Sequence, residues 1–242
     1  MASFFGLKMH STFAAPFLSP QQPNNQQLTT VPITPAPWLL RGDGYMLFYK
    51  FSRDWVAQHG FVPPALAGCF DGFFGSVMLV NYQESPVGPY RELLFMPGKF
   101  RTPQGRRYSI TNIAVDSEAS TQSGQANWGI PKVTRQFRAE REGDTERIQV
   151  LGLDGLPYFD IRLRSGGLRF PISTALVPIR LWQSWQGKTF LTDPKGSGTG
   201  QLARVLDVQV NSELFPDICR TRPLLALRVT NFTMQFPASR VF

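Results

Sequence analysis

The chain is poor in the residues that hold metals and staple small folds. Its 242 residues include two histidines, His10 and His59, and two cysteines, Cys69 and Cys219. Two histidines cannot build a multi-histidine metal site, and no Cys-x-x-Cys or His-x-x-x-His spacing occurs. The widely separated cysteines are not a disulfide framework, and Cys69, within Ala67-Gly68-Cys69-Phe70, reads as a buried free thiol. A Ser-His-Asp triad would have to use His59, yet no Gly-x-Ser-x-Gly elbow is present. No apolar run approaches the length of a membrane-spanning helix, so no membrane partner is expected. Net charge is +8, from 25 basic and 17 acidic residues, but the longest basic run is Arg106-Arg107. With no helix-turn-helix or finger pattern, that charge points to an anionic small molecule, and no nucleic acid partner is expected.

The first 37 residues differ from the rest. Ser19 to Pro37 contains five prolines, many Gln, Asn and Thr residues and no charge, which reads as an extended or disordered arm. Pro16 interrupts the best apolar stretch before it, so no secretory h-region forms and a cytoplasmic location is expected. The leader lacks acidic residues, as organelle-targeting segments do, and it also lacks arginine. It could equally wrap a neighbouring subunit.

From Trp38 to Phe242 the composition fits a single domain with a substantial core, and the pattern is mainly β. Near-alternating apolar residues predict strands over Tyr45–Phe51, Phe73–Tyr82, Glu92–Phe100 and Tyr108–Val115. Thr134–Arg164 reads as a meander with turns at Glu142-Gly143-Asp144 and Asp154-Gly155. Gly196-Ser197-Gly198-Thr199-Gly200 lacks the Lys-Ser/Thr of a phosphate loop and reads as a flexible hairpin loop. Strands over Gln201–Val210 and Leu224–Phe236 follow, and single helical turns are expected at Asp54–His59 and Glu213–Asp217. Such a succession favours a closed antiparallel barrel, because closure removes exposed edges.

One lysine stands out. Lys132 lies in Gln125-Ala126-Asn127-Trp128-Gly129-Ile130-Pro131-Lys132-Val133, a stretch with no other charge. Burial disfavours the ammonium, so a lysine in such surroundings is expected to have a lowered pKa and to offer a free amine to a carbonyl carbon. That chemistry needs neither a metal nor a bound cofactor. Two further blocks precede it: Trp38-Leu39-Leu40-Arg41-Gly42-Asp43-Gly44-Tyr45, and Pro89-Tyr90-Arg91-Glu92 continuing to Pro97-Gly98-Lys99-Phe100. In this order and over residues 37–140 the three blocks resemble the acetoacetate decarboxylase-like superfamily.

The resemblance implies a cone-like β-barrel whose lysine points into an apolar interior, assembled into homo-oligomers. It also implies roles. Lys132 would form the imine with a small keto acid, Glu92 would hold or relay the proton the enamine regains, and Arg41 would contact the substrate carboxylate. Trp128, Tyr90, Phe70 and Phe73 are candidate pocket residues. Two positions depart from the pattern: Val133 stands where decarboxylases carry a second lysine, and Gln125 where many relatives have an arginine. Decarboxylation of acetoacetate or a related β-keto acid is therefore weighed beside aldolase or dehydratase chemistry on a pyruvate-type acid. A non-catalytic barrel binding a small carbonyl or apolar ligand is the third possibility. The unremarked readings of these residues are a solvated Glu92 opening a strand, Arg41 beside a turn, and an exposed Lys132.

Overall fold

Gly42 and Gly44 allow the first strand to run through the middle of a sheet. A Cβ on either would collide with the carbonyl oxygen of Asn81 or Leu79 on the neighbouring strand. The computed structural model describes residues 31–242. Its first strand, β1 (Trp38–Tyr49), is followed by helix α1 (Arg53–His59), β2 (Gly75–Glu84), β3 (Tyr90–Met96), β4 (Lys99–Thr102), β5 (Gly105–Tyr108) and β6 (Asn112–Val115). Helix α2 (Glu118–Trp128) leads to β7 (Val133–Thr134), β8 (Gln136–Glu142), β9 (Thr145–Leu151) and β10 (Pro157–Ser173). The chain continues through β11 (Leu181–Trp185), β12 (Lys188–Thr192), β13 (Lys195–Val210), β14 (Leu225–Phe236) and β15 (Arg240–Val241).

Ten strands form one large sheet in the order β7-β6-β3-β2-β1-β14-β13-β10-β9-β8, and five form a second, β15-β12-β11-β5-β4. The expected mainly β barrel is present, with the large sheet nearly closed. Its edge strands β7 and β8 are consecutive in the chain, and no ladder joins them. Most pairs are antiparallel, but β6 and β7 pair in parallel, as do β5 and β11. Parallel neighbours require a long crossover. Residues 116–132 supply it, and α2 is its helical part.

Two apolar cores result. The first fills the curl of the large sheet with side chains from opposite walls, among them Leu47, Val77, Leu93, Phe95, Val150, Phe159 and Ile161. The second lies on the other face of β1, β2, β3 and β6, under α2 and part of the small sheet, and contains Trp38, Leu40, Tyr82, Tyr90, Leu94, Val115, Trp128 and Leu181. Strand β3 serves both: Leu93 and Phe95 face the first core, Tyr90, Leu94 and Met96 the second.

Several expectations are corrected here. Arg41-Gly42-Asp43-Gly44 is not a turn; it is a bulged part of β1, where the glycines admit close neighbours. Gly196 to Gly200 is not a hairpin loop; it lies within β13, where Gly198 makes room for Phe232 and Gly200 for Phe170 and Ile172. Cys69 is half-buried and free, not fully buried. Glu213–Asp217 falls in a non-helical turn in which Leu214 and Phe215 donate to the Asn211 carbonyl. The hairpins at Gly143 and Gly155 form as expected, each glycine with a left-handed φ. The arm assigned to residues 1–37 lies mostly outside the described residues. At its end, the Thr34 amide donates to Ser123 Oγ at 3.0 Å, and Asn127 Nδ2 donates to the Thr34 carbonyl at 2.7 Å.

Candidate active site

Helix α2 escapes a reading by periodicity, because the residues it buries are Ser120, Thr121, Ser123, Gly124 and Trp128, four of them small or polar. Its ends are conventional. The Ser117 side chain accepts from the Ser120 amide, and Gly129 ends the helix in the left-handed region at φ 62°. Trp128 anchors the last turn, packing edge-on to Trp38 and Phe236 with centroids 5.0 Å away in each case. Its indole N–H donates to the Pro237 carbonyl at 2.7 Å. Chain reversal at Gly129 then brings Lys132 back beneath the helix that precedes it.

Contacts along its whole length fix the lysine. Gly124 leaves space for its stem, since a Cβ there would lie 2.7 Å from Lys132 Cδ and 2.9 Å from Cε. Gln125 Nε2 donates to the Lys132 carbonyl at 2.8 Å. The ammonium donates to Glu92 Oε2 and to Ser120 Oγ, both at 3.0 Å, and lies 5.1 Å from the centre of the Tyr90 ring. Lys132 and Glu92 are each 5% exposed, and Ser120 is fully buried. The Tyr90 and Tyr82 rings stack at a tilt with centroids 4.7 Å apart along the same wall.

Charge in this space is tightly coupled. Burial pulls the Lys132 ammonium towards neutrality, but the Glu92 carboxylate and the Tyr90 hydroxyl offset that, and the net direction is upward from an ordinary lysine. This corrects the lowered pKa expected from the uncharged sequence around Lys132. Burial, opposed by Lys132 and reinforced by Glu92, pushes the Tyr90 phenol up to about 12. Burial and then Glu92 hold Tyr82 well above its ordinary value. The resting site is a buried ammonium-carboxylate pair walled by neutral phenols.

The fold thus brings Lys132 and Glu92 together and leaves Arg41 outside. Arg41 is exposed on the face of β1 opposite Leu40 and pairs with Glu84 at 3.4 Å. Tyr90 and Trp128 belong to the lysine's core, whereas Phe70 packs in the first core. Phe73 is a partly exposed loop residue with the Lys99 ammonium 4.0 Å from its ring centre. Lys132 lies on the second-core side of β3, beside Glu92 and Tyr90. Val133 is 42% exposed on β7 and so does not neighbour the amine. Ser120, Gly124 and Tyr82 were not singled out from sequence. The cap pair Ser117 and Gly129 is the signal that would have revealed α2, and with it the one-turn spacing of Ser120 and Gly124. Two open clefts, of about 490 and 720 Å³, lie beside residues 171–180 and 193–199, away from Lys132. Among the described residues no cluster of three or more His, Cys, Asp or Glu side chains is placed to hold a metal, and no helix is long and apolar enough to cross a membrane.

Comparison with solved structures places the fold. An acetoacetate decarboxylase from Legionella pneumophila is similar over 92% of this chain and 92% of its own, with a TM-score of 0.66 and 14% identity. The chain has the acetoacetate decarboxylase fold. The enduracididine biosynthesis enzyme MppR, solved in complex with pyruvate, shares the acetoacetate decarboxylase fold over 86% of this chain and 91% of its own, with a TM-score of 0.59 and 14% identity. An acetoacetate decarboxylase-like enzyme from Sphingomonas wittichii RW1 is similar over 87% and 94%, with a TM-score of 0.59 and 12% identity. No family model and no curated protein matches the sequence.

Proposed function

We propose that this chain is a cofactor-independent lyase that acts on a small keto acid through an imine on Lys132. The observation that carries the reading is the sealed Lys132–Glu92 contact at 3.0 Å in the acetoacetate decarboxylase fold. Glu92 first takes a proton from the ammonium, leaving a free amine. The amine attacks the ketone carbon, and Glu92 returns its proton to the departing hydroxyl, so that water leaves and the protonated imine forms beside the Glu92 carboxylate. For a β-keto acid the bond to the carboxylate then breaks, carbon dioxide leaves, and its electron pair passes through carbon to the iminium nitrogen. Glu92 then relays a proton from solvent to the enamine carbon, and water releases the ketone and restores the lysine. With a pyruvate-type acid the protonated imine would instead lose a methyl proton to the Glu92 carboxylate, and the resulting enamine would attack an aldehyde; the pyruvate complex of MppR supports keeping that substrate class beside acetoacetate.

Enamine formation has a signature independent of which path follows. In deuterium oxide, Lys132-dependent exchange should place deuterium in the methyl group of pyruvate, or in acetone formed from acetoacetate. No exchange and no product from either acid would remove the lyase reading.

A second reading, a barrel that binds a small carbonyl compound without turning it over, is favoured by one observation. The ammonium is stabilised by Glu92 and lies above an ordinary lysine. Binding without deuterium exchange would select it.

A further inference from the structure

Ser120 is the second partner of the Lys132 nitrogen, and counting hydrogens assigns it a separate task. The ammonium has three N–H groups, of which Glu92 and Ser120 each accept one at 3.0 Å. Once Glu92 has taken a proton, the free amine has two N–H groups and a lone pair. If the amine's only partner were the protonated Glu92, that acid would donate into the lone pair and block attack. Later, the protonated imine has a single N–H, so Glu92 and Ser120 compete for it. If Glu92 accepts it, that carboxylate is tied up when a proton must reach carbon.

The geometry resolves that conflict. Glu92 approaches from β3, and Ser120 approaches from α2, twelve residues before the lysine. Ser120 is fully buried, so no water competes for its oxygen. Its place is fixed twice: the Ser117 cap holds its amide at 3.2 Å, and the missing side chain at Gly124, one turn on, routes the lysine stem past it. We propose that Ser120 is a positioning residue that holds the Lys132 nitrogen through amine and imine, leaving Glu92 free to move protons. This division of labour rests on the Schiff-base reading above.

The test separates the two. Competitive trace labelling with acetic anhydride across pH, mapped by peptide mass, gives the titration midpoint of Lys132 without any substrate. A hydrogen bond to a buried cation lost in Ser120→Ala should lower that midpoint by about one unit, a tenfold change in the amine equilibrium. Ser120→Thr, which keeps the hydroxyl, should restore it. Should Ser120→Ala fail to fold, Ser120→Cys replaces it, because sulfur is a weak acceptor of similar size. With acetoacetate or pyruvate and cyanoborohydride, Ser120→Ala should still give the Lys132 adduct but form it about tenfold more slowly than Ser120→Thr. A Lys132 midpoint that is the same in wild type and Ser120→Ala overturns the assignment. A lowered midpoint with no adduct in any variant supports the contact and removes the Schiff-base reading instead.

Discussion

Lys132 Nζ and Glu92 Oε2 stand 3.0 Å apart, and each side chain is about 95% shielded from solvent. The two residues are forty positions apart in the chain and come from opposite covers of the second core. Neither charge is tolerable there alone. Removing one partner of a buried pair costs roughly 3–5 kcal/mol, because the other is left uncompensated unless it changes protonation. In the proposed reaction that dependence lets the pair serve as a proton-transfer couple.

Glu92→Gln separates nucleophilicity from proton handling. Without the carboxylate, burial is unopposed by its largest counterweight, so the Lys132 pKa falls and free amine becomes more abundant at neutral pH. Reductive trapping of a keto acid on Lys132 should therefore persist in Glu92→Gln. Steady-state turnover should drop by about 10²–10⁴-fold, the usual weight of a general acid–base group. Loss of trapping together with turnover would contradict this split.

Alkali should unfold the protein before its tyrosines titrate normally. Tyr45, Tyr90, Tyr108 and Tyr158 are each pushed up to about 12, burial being the largest cause in every case. A phenol whose pKa is higher in the fold than in the unfolded chain contributes fully below about pH 10 and loses that contribution as pH rises towards 12. Denaturant midpoints should be level through neutral pH and fall steeply from about pH 10. Phenolate absorbance should rise together with unfolding.

Gly124→Ala is expected to separate stability from chemistry. Alanine favours a helix interior by about 1 kcal/mol over glycine. Here, however, the new methyl would meet the Lys132 stem at 2.7 Å and displace the amine. Trapping on Lys132 should fall at least tenfold, while the thermal midpoint changes by no more than a few degrees. An unchanged trapping rate would show that the stem has room the structure does not provide.

Arg41→Ala should be silent. Its guanidinium is exposed and pairs with exposed Glu84, a contact of the kind that contributes about 0–1 kcal/mol. Trapping yield and apparent KM for a keto acid should match wild type within about twofold. A rise in KM of tenfold or more would bring Arg41 back to the substrate.

The strand-rich barrel, the pairing of Lys132 with Glu92 in one site and the tight turns at Gly143 and Gly155 were legible because each rests on local pattern or on short blocks. The charge state of Lys132 was not. Its sequence neighbours are uncharged, and the carboxylate that reverses the effect of burial arrives from β3. Helix α2 was hidden for a related reason: it covers a polar pair, so its buried face carries Ser120, Ser123 and Gly124, and no apolar stripe repeats at helical spacing. Glycines inside strands misled. Those at 42 and 44 and at 196, 198 and 200 resemble loop signals, yet they serve close packing inside strands, which only the neighbouring strands reveal.

In the proposed reaction Lys132 forms an imine. Incubation with acetoacetate and, separately, pyruvate, followed by borohydride, intact mass and peptide mapping, reads it directly. The expected result is one reduced adduct per chain, on the peptide carrying Lys132, absent from folded Lys132→Ala. Adducts that scatter over exposed lysines, or persist unchanged in Lys132→Ala, would contradict it.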